Sequence, residues 1–111
     1  MTYTRLNQKK DYFKYSGTGT ATNSIQTLKS AGALSGTWVV VGKVQNGSST
    51  TVALQCRLGG SVTGSYINAQ KIEQSQQNVL TAIFKDETVT LGTFCPTSNA
   101  LSWELTGVRV S

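Results

Sequence analysis

From Trp38 to Leu58 the large apolar side chains keep to even positions. Trp38, Val40, Val44, Val52, Leu54, Cys56 and Leu58 fall on one face, and Val39, Val41, Lys43, Gln45, Ala53, Gln55 and Arg57 on the other. A period of two is the strand period, so this stretch predicts two β-strands, with the uncharged even set inward. Asn46-Gly47 lies between the two runs and predicts a hairpin turn. Opposed residues of an antiparallel pair share a face, so the loop has to place even opposite even. A two-residue loop at Asn46-Gly47 fails that test. A three-residue loop, Gln45-Asn46-Gly47, passes it by pairing Val44 with Ser48 and Val40 with Val52. The expectation is therefore a type I turn with Gly47 left-handed in a G1 bulge. The odd face keeps Val39, Val41 and Ala53 among its charges, more apolar than a solvated face needs.

The flanking chain continues the strand pattern in shorter pieces. Ile25–Lys29 predicts a weak strand ending at Ser30-Ala31-Gly32-Ala33, Gly59–Gly64 a loop, and Tyr66–Ile72 a strand of imperfect alternation. Glu73–Asn78 is where a short helix competes, since Ile72, Gln76, Val79 and Ile83 have helical spacing, but Gln76 is polar and a loop is preferred. Val79–Phe84 predicts a buried strand and Lys85–Thr88 its turn. Val89, Leu91 and Cys95 alternate with Thr88, Thr90 and Gly92. Phe94 breaks that rule, so the strand is expected to be covered on both faces near its end. Pro96–Asn99 is a turn. In the last run Leu101, Trp103 and Leu105 share a parity that Val108 and Val110 do not. A bulge at Gly107 would reconcile the two sets in a strand lying inside a sheet. Seven or eight short strands separated by turns predict a single-domain, all-β sandwich or jelly-roll-like barrel.

Residues 1–24 depart from this pattern and predict an N-terminal arm ahead of a sandwich at residues 25–111. Arg5, Lys9, Lys10, Tyr12, Phe13, Lys14 and Tyr15 interleave cations with aromatic rings, and Ser16-Gly17-Thr18-Gly19-Thr20 follows as a flexible connector. Such a segment suits docking, with rings filling pockets on a partner and lysines meeting carboxylates or phosphates. The competing reading is an edge strand whose rings pack on the domain and whose lysines guard the edge. Of the formal net charge of +5, residues 1–35 hold most, with five cations against Asp11. The remainder is nearly neutral and offers no basic face along which a nucleic acid could continue, so nucleic acid is not an expected partner.

Composition excludes more than it assigns. The chain has 111 residues, enough for one core, and its polar positions are filled mainly by Ser, Thr, Asn, Gln and Gly. It has no histidine, so no Ser-His-Asp or Cys-His arrangement exists. Five carboxylates and two cysteines are scattered without metal-ligand spacing, and the glycine-rich stretches lack a phosphate-loop signature. The expectation is a protein without catalysis, metal or cofactor. Cys56 and Cys95 are read as buried thiols, a bridge between them staying open. No apolar stretch approaches the ~18 residues of a membrane span. Met1 is followed by a polar run with no secretory h-region, so neither membrane nor signal peptide is expected.

In strand pattern, size, Thr/Ser/Gln surface and the basic-aromatic run from Arg5 to Tyr15, starting from Met1, the chain resembles the small capsid decoration proteins of tailed bacteriophages. These staple or cement proteins are the type carried by short-tailed Salmonella phages. The resemblance implies a protein made in the host cytoplasm and placed on the virion surface. There it would bind neighbouring copies of the major capsid protein, as a homodimer at a symmetry axis or as a trimer. The same pattern is similar to two other families. One is the C1q/TNF-like heads of phage fibres, against which no stalk precedes the domain. The other is the carbohydrate-binding β-sandwich modules, where Trp38, Tyr66 or Trp103 would stack on a sugar; both tryptophans fall on inward faces.

Overall fold

The computed structural model describes residues 12–47, 54–60, 68–72, 76–95 and 99–111. Among them lie eight strands: β1 (Tyr12–Ala21), β2 (Gln26–Ala33), β3 (Thr37–Asn46), β4 (Leu54–Gly59), β5 (Asn68–Ile72), β6 (Gln77–Lys85), β7 (Thr88–Phe94) and β8 (Asn99–Arg109). They form two four-stranded antiparallel sheets, ordered β1-β8-β3-β6 and β2-β7-β4-β5. The pairings are nested: β1 with β8, β2 with β7, β3 with β6, β4 with β5. The chain is thus one long antiparallel ribbon rolled up on itself, which adds the pairs β3–β8 and β4–β7. That is a jelly roll, as the strand pattern predicts.

The parity of the central stretch survives, but its hairpin does not. Trp38, Val40 and Val44 of β3 and Leu54, Cys56 and Leu58 of β4 are all buried in the core between the sheets. Yet β3 and β4 belong to opposite sheets, and Val40 lies opposite Ala82 and Gly107 instead of Val52. Both hydrogen-bonding edges of β3 are taken by β6 and β8, so none is left for a local partner. Asn46 is not a turn residue. It is fully buried as the last residue of β3, its Nδ2 donating to the Ile72 carbonyl at 3.1 Å and its amide to Gln76 at 2.9 Å. Left-handed φ occurs at Gly32 and Gly36 among the described glycines, so Gly47 forms no G1 bulge. The ribbon's apex lies instead between β4 and β5; the loop expected at Gly59–Gly64 lies, from residue 61 on, outside the described residues.

Three further expectations change. Tyr12–Ala21 is not part of an arm: it pairs with β8 along its whole length. Gly17 and Gly19 are not connector glycines but close-approach positions, where a Cβ would come within 3.0 Å of the Trp103 ring and 3.1 Å of Leu28. The proposed boundary at residue 24 therefore fails on its C-terminal side; residues 1–11 lie outside the described part. Next, β6 is not a buried strand but an edge strand, with Leu80, Ala82 and Phe84 inward and Val79 and Ile83 exposed. Finally, β8 keeps register through Gly107 without a bulge, so Val108 and Val110 face outward. A Cβ at Gly107 would collide with the Phe13 ring, which explains the glycine.

Other readings agree. β7 is buried on both faces from Val89 to Thr93, as a central strand should be, and β8 runs inside its sheet. The Lys85–Thr88 turn is present, and Cys56 and Cys95 are buried as thiols. β2 runs on through Ser30–Ala33, with register shifts after Thr27 and after Ser30. At one end of the sandwich two crossing turns clasp each other. The Gly36 amide donates to the Asp86 carboxylate at 2.7 Å and the Asp86 amide to the Gly36 carbonyl at 3.0 Å.

Candidate functional site

Of the seven residues picked out for docking, Arg5, Lys9 and Lys10 lie outside the described part. Tyr12, Phe13, Lys14 and Tyr15 open β1, at the edge of the first sheet. Strand alternation splits them between two surfaces. Phe13 and Tyr15 turn toward the space between the sheets; Tyr12 and Lys14 lie on the outer face.

The inward pair builds an aromatic cleft. Phe13 stacks on Tyr15 and tilts against Trp38, each at a centroid distance of 5.6 Å. Trp38 is buried and held by its indole N–H, which donates to the Ser35 carbonyl at 2.9 Å. The Lys29 ammonium from β2 sits 4.3 Å over the Tyr15 ring, a cation–π contact joining the two sheet edges. With Leu34 and Arg109 these rings line an opening of about 340 Å³. Arg109 is steadied by its Nε, which donates to the Ser111 carbonyl at 3.0 Å.

The outward pair joins a larger surface. Registers across β6, β3, β8 and β1 place Ile83, Val39, Val108 and Tyr12 in one row, a single residue from each strand. Thr81, Val41, Thr106 and Lys14 form the next row, and Val79, Lys43, Glu104 and Ser16 the one after. Glu104 lies between two cations, 3.6 Å from Lys14 and 3.6 Å from Lys43. Beyond it a hollow of about 280 Å³ is lined by Ser16, Lys43, Gln45, Gln77, Ser102 and Glu104, with the half-buried Trp103 ring among them. Ile83 is 65% exposed, Val108 55% and Tyr12 46%. Sequence reasoning missed Val79, Ile83, Val108 and Val110 as surface groups. The signal was the parity of Val79 and Ile83, opposite to that of Leu80, Ala82 and Phe84.

The site offers stacked rings, cations and an open strand edge to a binding partner. Among the described residues no three Cys, Asp or Glu side chains gather where a cation could be held. Trp38 is 4% exposed and presents no open ring to a sugar, whereas Trp103, beneath Gly17, is half-buried and lines the hollow beside Glu104. Tyr66 lies outside the described part.

No family model matches the chain, and no curated protein matches it. Among solved structures it is similar to a subunit of Bacillus endospore appendages, described as disulfide-linked pili. Identity is 12% and the TM-score 0.63, over 90% of this chain and 88% of that one. It is similar also to VP2 of infectious bursal disease virus in a subviral particle, at 11% identity and a TM-score of 0.54. That match takes in 88% of this chain but 32% of the viral one, so the chain spans about a third of that protein's length. The C-terminal CBM6 of a marine laminarinase from Zobellia galactanivorans aligns at 8% identity and a TM-score of 0.46, over 89% of this chain and all of that one. At such identities the first two likenesses establish the fold, a β-sandwich of jelly-roll type, and nothing finer; the third is too distant for either.

Proposed function

We propose that this chain is a non-enzymatic structural protein of a virion. It docks on the outer surface of the capsid, a tailed phage's by the resemblance above, and clamps neighbouring copies of the major capsid protein. The observation that carries the reading is β1. It is a ten-residue edge strand without a bulge, its outer hydrogen-bonding side unpaired among the described residues, and it bears Tyr12, Phe13, Lys14 and Tyr15. An open, regular edge can accept a strand from a partner, and flanking rings and lysines add anchoring and charge steering. Repetition over a shell would multiply a weak individual contact. Two likenesses support a role in assembly, since one neighbour is described as forming pili and the other as part of a subviral particle.

Phe13 packs on the core, so truncating through residue 15 would damage the fold. The test therefore uses Lys14→Glu with Tyr15→Ser, both at exposed positions. Co-sedimentation with purified expanded phage capsids should fall at least about tenfold for this variant, while thermal unfolding barely moves. Full capsid occupancy by the variant would refute the reading.

A second reading, a glycan-binding module, rests on the cleft beside Tyr15. Binding to a glycan array that Tyr15→Ser abolishes and capsids do not compete with would favour it.

A further inference from the structure

Every large hydrophobic side chain that is exposed among the described residues belongs to the sheet β1-β8-β3-β6 or continues it. Tyr12, Val79, Ile83, Val108 and Val110 lie on its outer face, and Tyr15 at its rim. A contiguous apolar row flanked by polar rows marks an interaction surface. The geometry points to a second copy of this chain as its occupant, packed face to face about a two-fold axis running along the strands, midway between β3 and β8. This interface shares Tyr12 and Lys14 with the capsid-docking edge but does not rest on that reading, since its apolar row and charge pairs run through β3, β6 and β8 as well.

The argument is one of self-complementarity. Such an axis lays β3 over the second copy's β8, and β1 over its β6, while keeping each row in place. In the apolar row Val39 then meets Val108, and Tyr12 meets Ile83, in both directions. Two rows further on, Lys43 of each copy meets Glu104 of the other. Lys14 meets Thr81, and Ser16 meets Val79. No like charges are opposed within these rows.

Aligned sheets pack about 30° apart, and neighbouring rows are roughly 7 Å apart along the strands. A twist centred between the two key rows shifts each by roughly 3–4 Å, less than one strand spacing. Size also fits. A four-stranded face of nine or ten residues per strand measures roughly 19 by 34 Å, or about 650 Å², at the low end of the ~600–1,000 Å² per partner of a stable interface.

The decisive experiment uses two charge reversals of the full chain, Lys43→Glu and Glu104→Lys, studied by sedimentation velocity alone and mixed. Lys43 and Glu104 are also neighbours within one copy, so each variant loses that internal pair, and mixing cannot restore it. Across the two-fold axis each variant alone opposes only like charges, whereas the two together oppose only unlike ones.

The wild-type chain should sediment as a dimer of twice 11.9 kDa. Each variant alone should self-associate at least about tenfold more weakly, and an equimolar mixture should recover the dimer. Ile83→Lys should weaken the dimer as well and should not be rescued by either partner. Unchanged thermal midpoints would confirm that the variants fold.

A wild-type chain that stays monomeric to about 1 mM, well above the micromolar constants of weak specific complexes, overturns the proposal. So does a mixture no more associated than its parts, which would assign the face to a different macromolecule.

Discussion

The two sheets share one core and differ on the outside. The sheet β2-β7-β4-β5 points Gln55, Arg57, Thr88, Thr90, Gly92 and Phe94 away from the core, yet of these only Thr88 is exposed: Thr90 and Gly92 are buried and the other three half-buried. Its edge strand β2 is interrupted twice, and Gly32 adopts a φ of 78° at the second interruption. Bulges, small side chains and polarity are how a sheet protects itself from strange partners. The sheet β1-β8-β3-β6 does the opposite. Its edges β1 and β6 are regular, and its outer face carries a row of Tyr12, Val108, Val39 and Ile83. The outer face of the second sheet is largely covered within the chain, whereas the first leaves its apolar row open, and it is this row that the proposed dimer would cover.

The comparison can be broken from the core outward. Phe84→Ala, at a side chain 1% exposed and opposite Trp38, should cost about 3–5 kcal/mol and loosen both sheets alike, read as the urea midpoint of unfolding. Gly107→Ala should cost about 1–3 kcal/mol by pushing the Phe13 ring aside, and should act on one sheet only. Hydrogen exchange should then show β1 opening while β2 and β7 stay protected.

Smaller effects sharpen the contrast. Gly32→Ala meets no atom within 4 Å, so only its left-handed backbone resists, at about 1–2 kcal/mol in the same unfolding assay. Val108→Lys should change monomer stability by no more than about 0.5 kcal/mol, yet weaken self-association at least about tenfold. A Val108→Lys variant that unfolds early would mean that the row supports the fold after all.

The inward pattern was legible because alternation is local. Even positions in β3 and β4, and Leu101 and Leu105 in β8, went where their parity said. Strand partners were not legible, because a jelly roll pairs the first strand with the last and the second with the seventh. Nothing near Tyr12 announces Val108. Asn46-Gly47 misled for the same reason: a strong turn signal loses when both edges of β3 are occupied and the Asn side chain finds a buried carbonyl. Gly107 looked like a bulge because its real role, making room for Phe13, depends on a residue far away in sequence.

In the docking segment the basic-aromatic composition was visible, but its division between cleft and outer face was not. That division follows from the pairing of β1, which places Tyr12 and Lys14 on one side and Phe13 and Tyr15 on the other.

The difference between the two faces is tested most directly by thiol alkylation of Val108→Cys and Thr88→Cys, one exposed position on each sheet. The native Cys56 and Cys95 are buried and stay silent. As protein concentration rises from about 1 µM to 1 mM, spanning the usual range of weak dimers, the label at position 108 should slow at least about tenfold, and the label at 88 should not change. Equal, concentration-independent rates at the two positions would contradict the account.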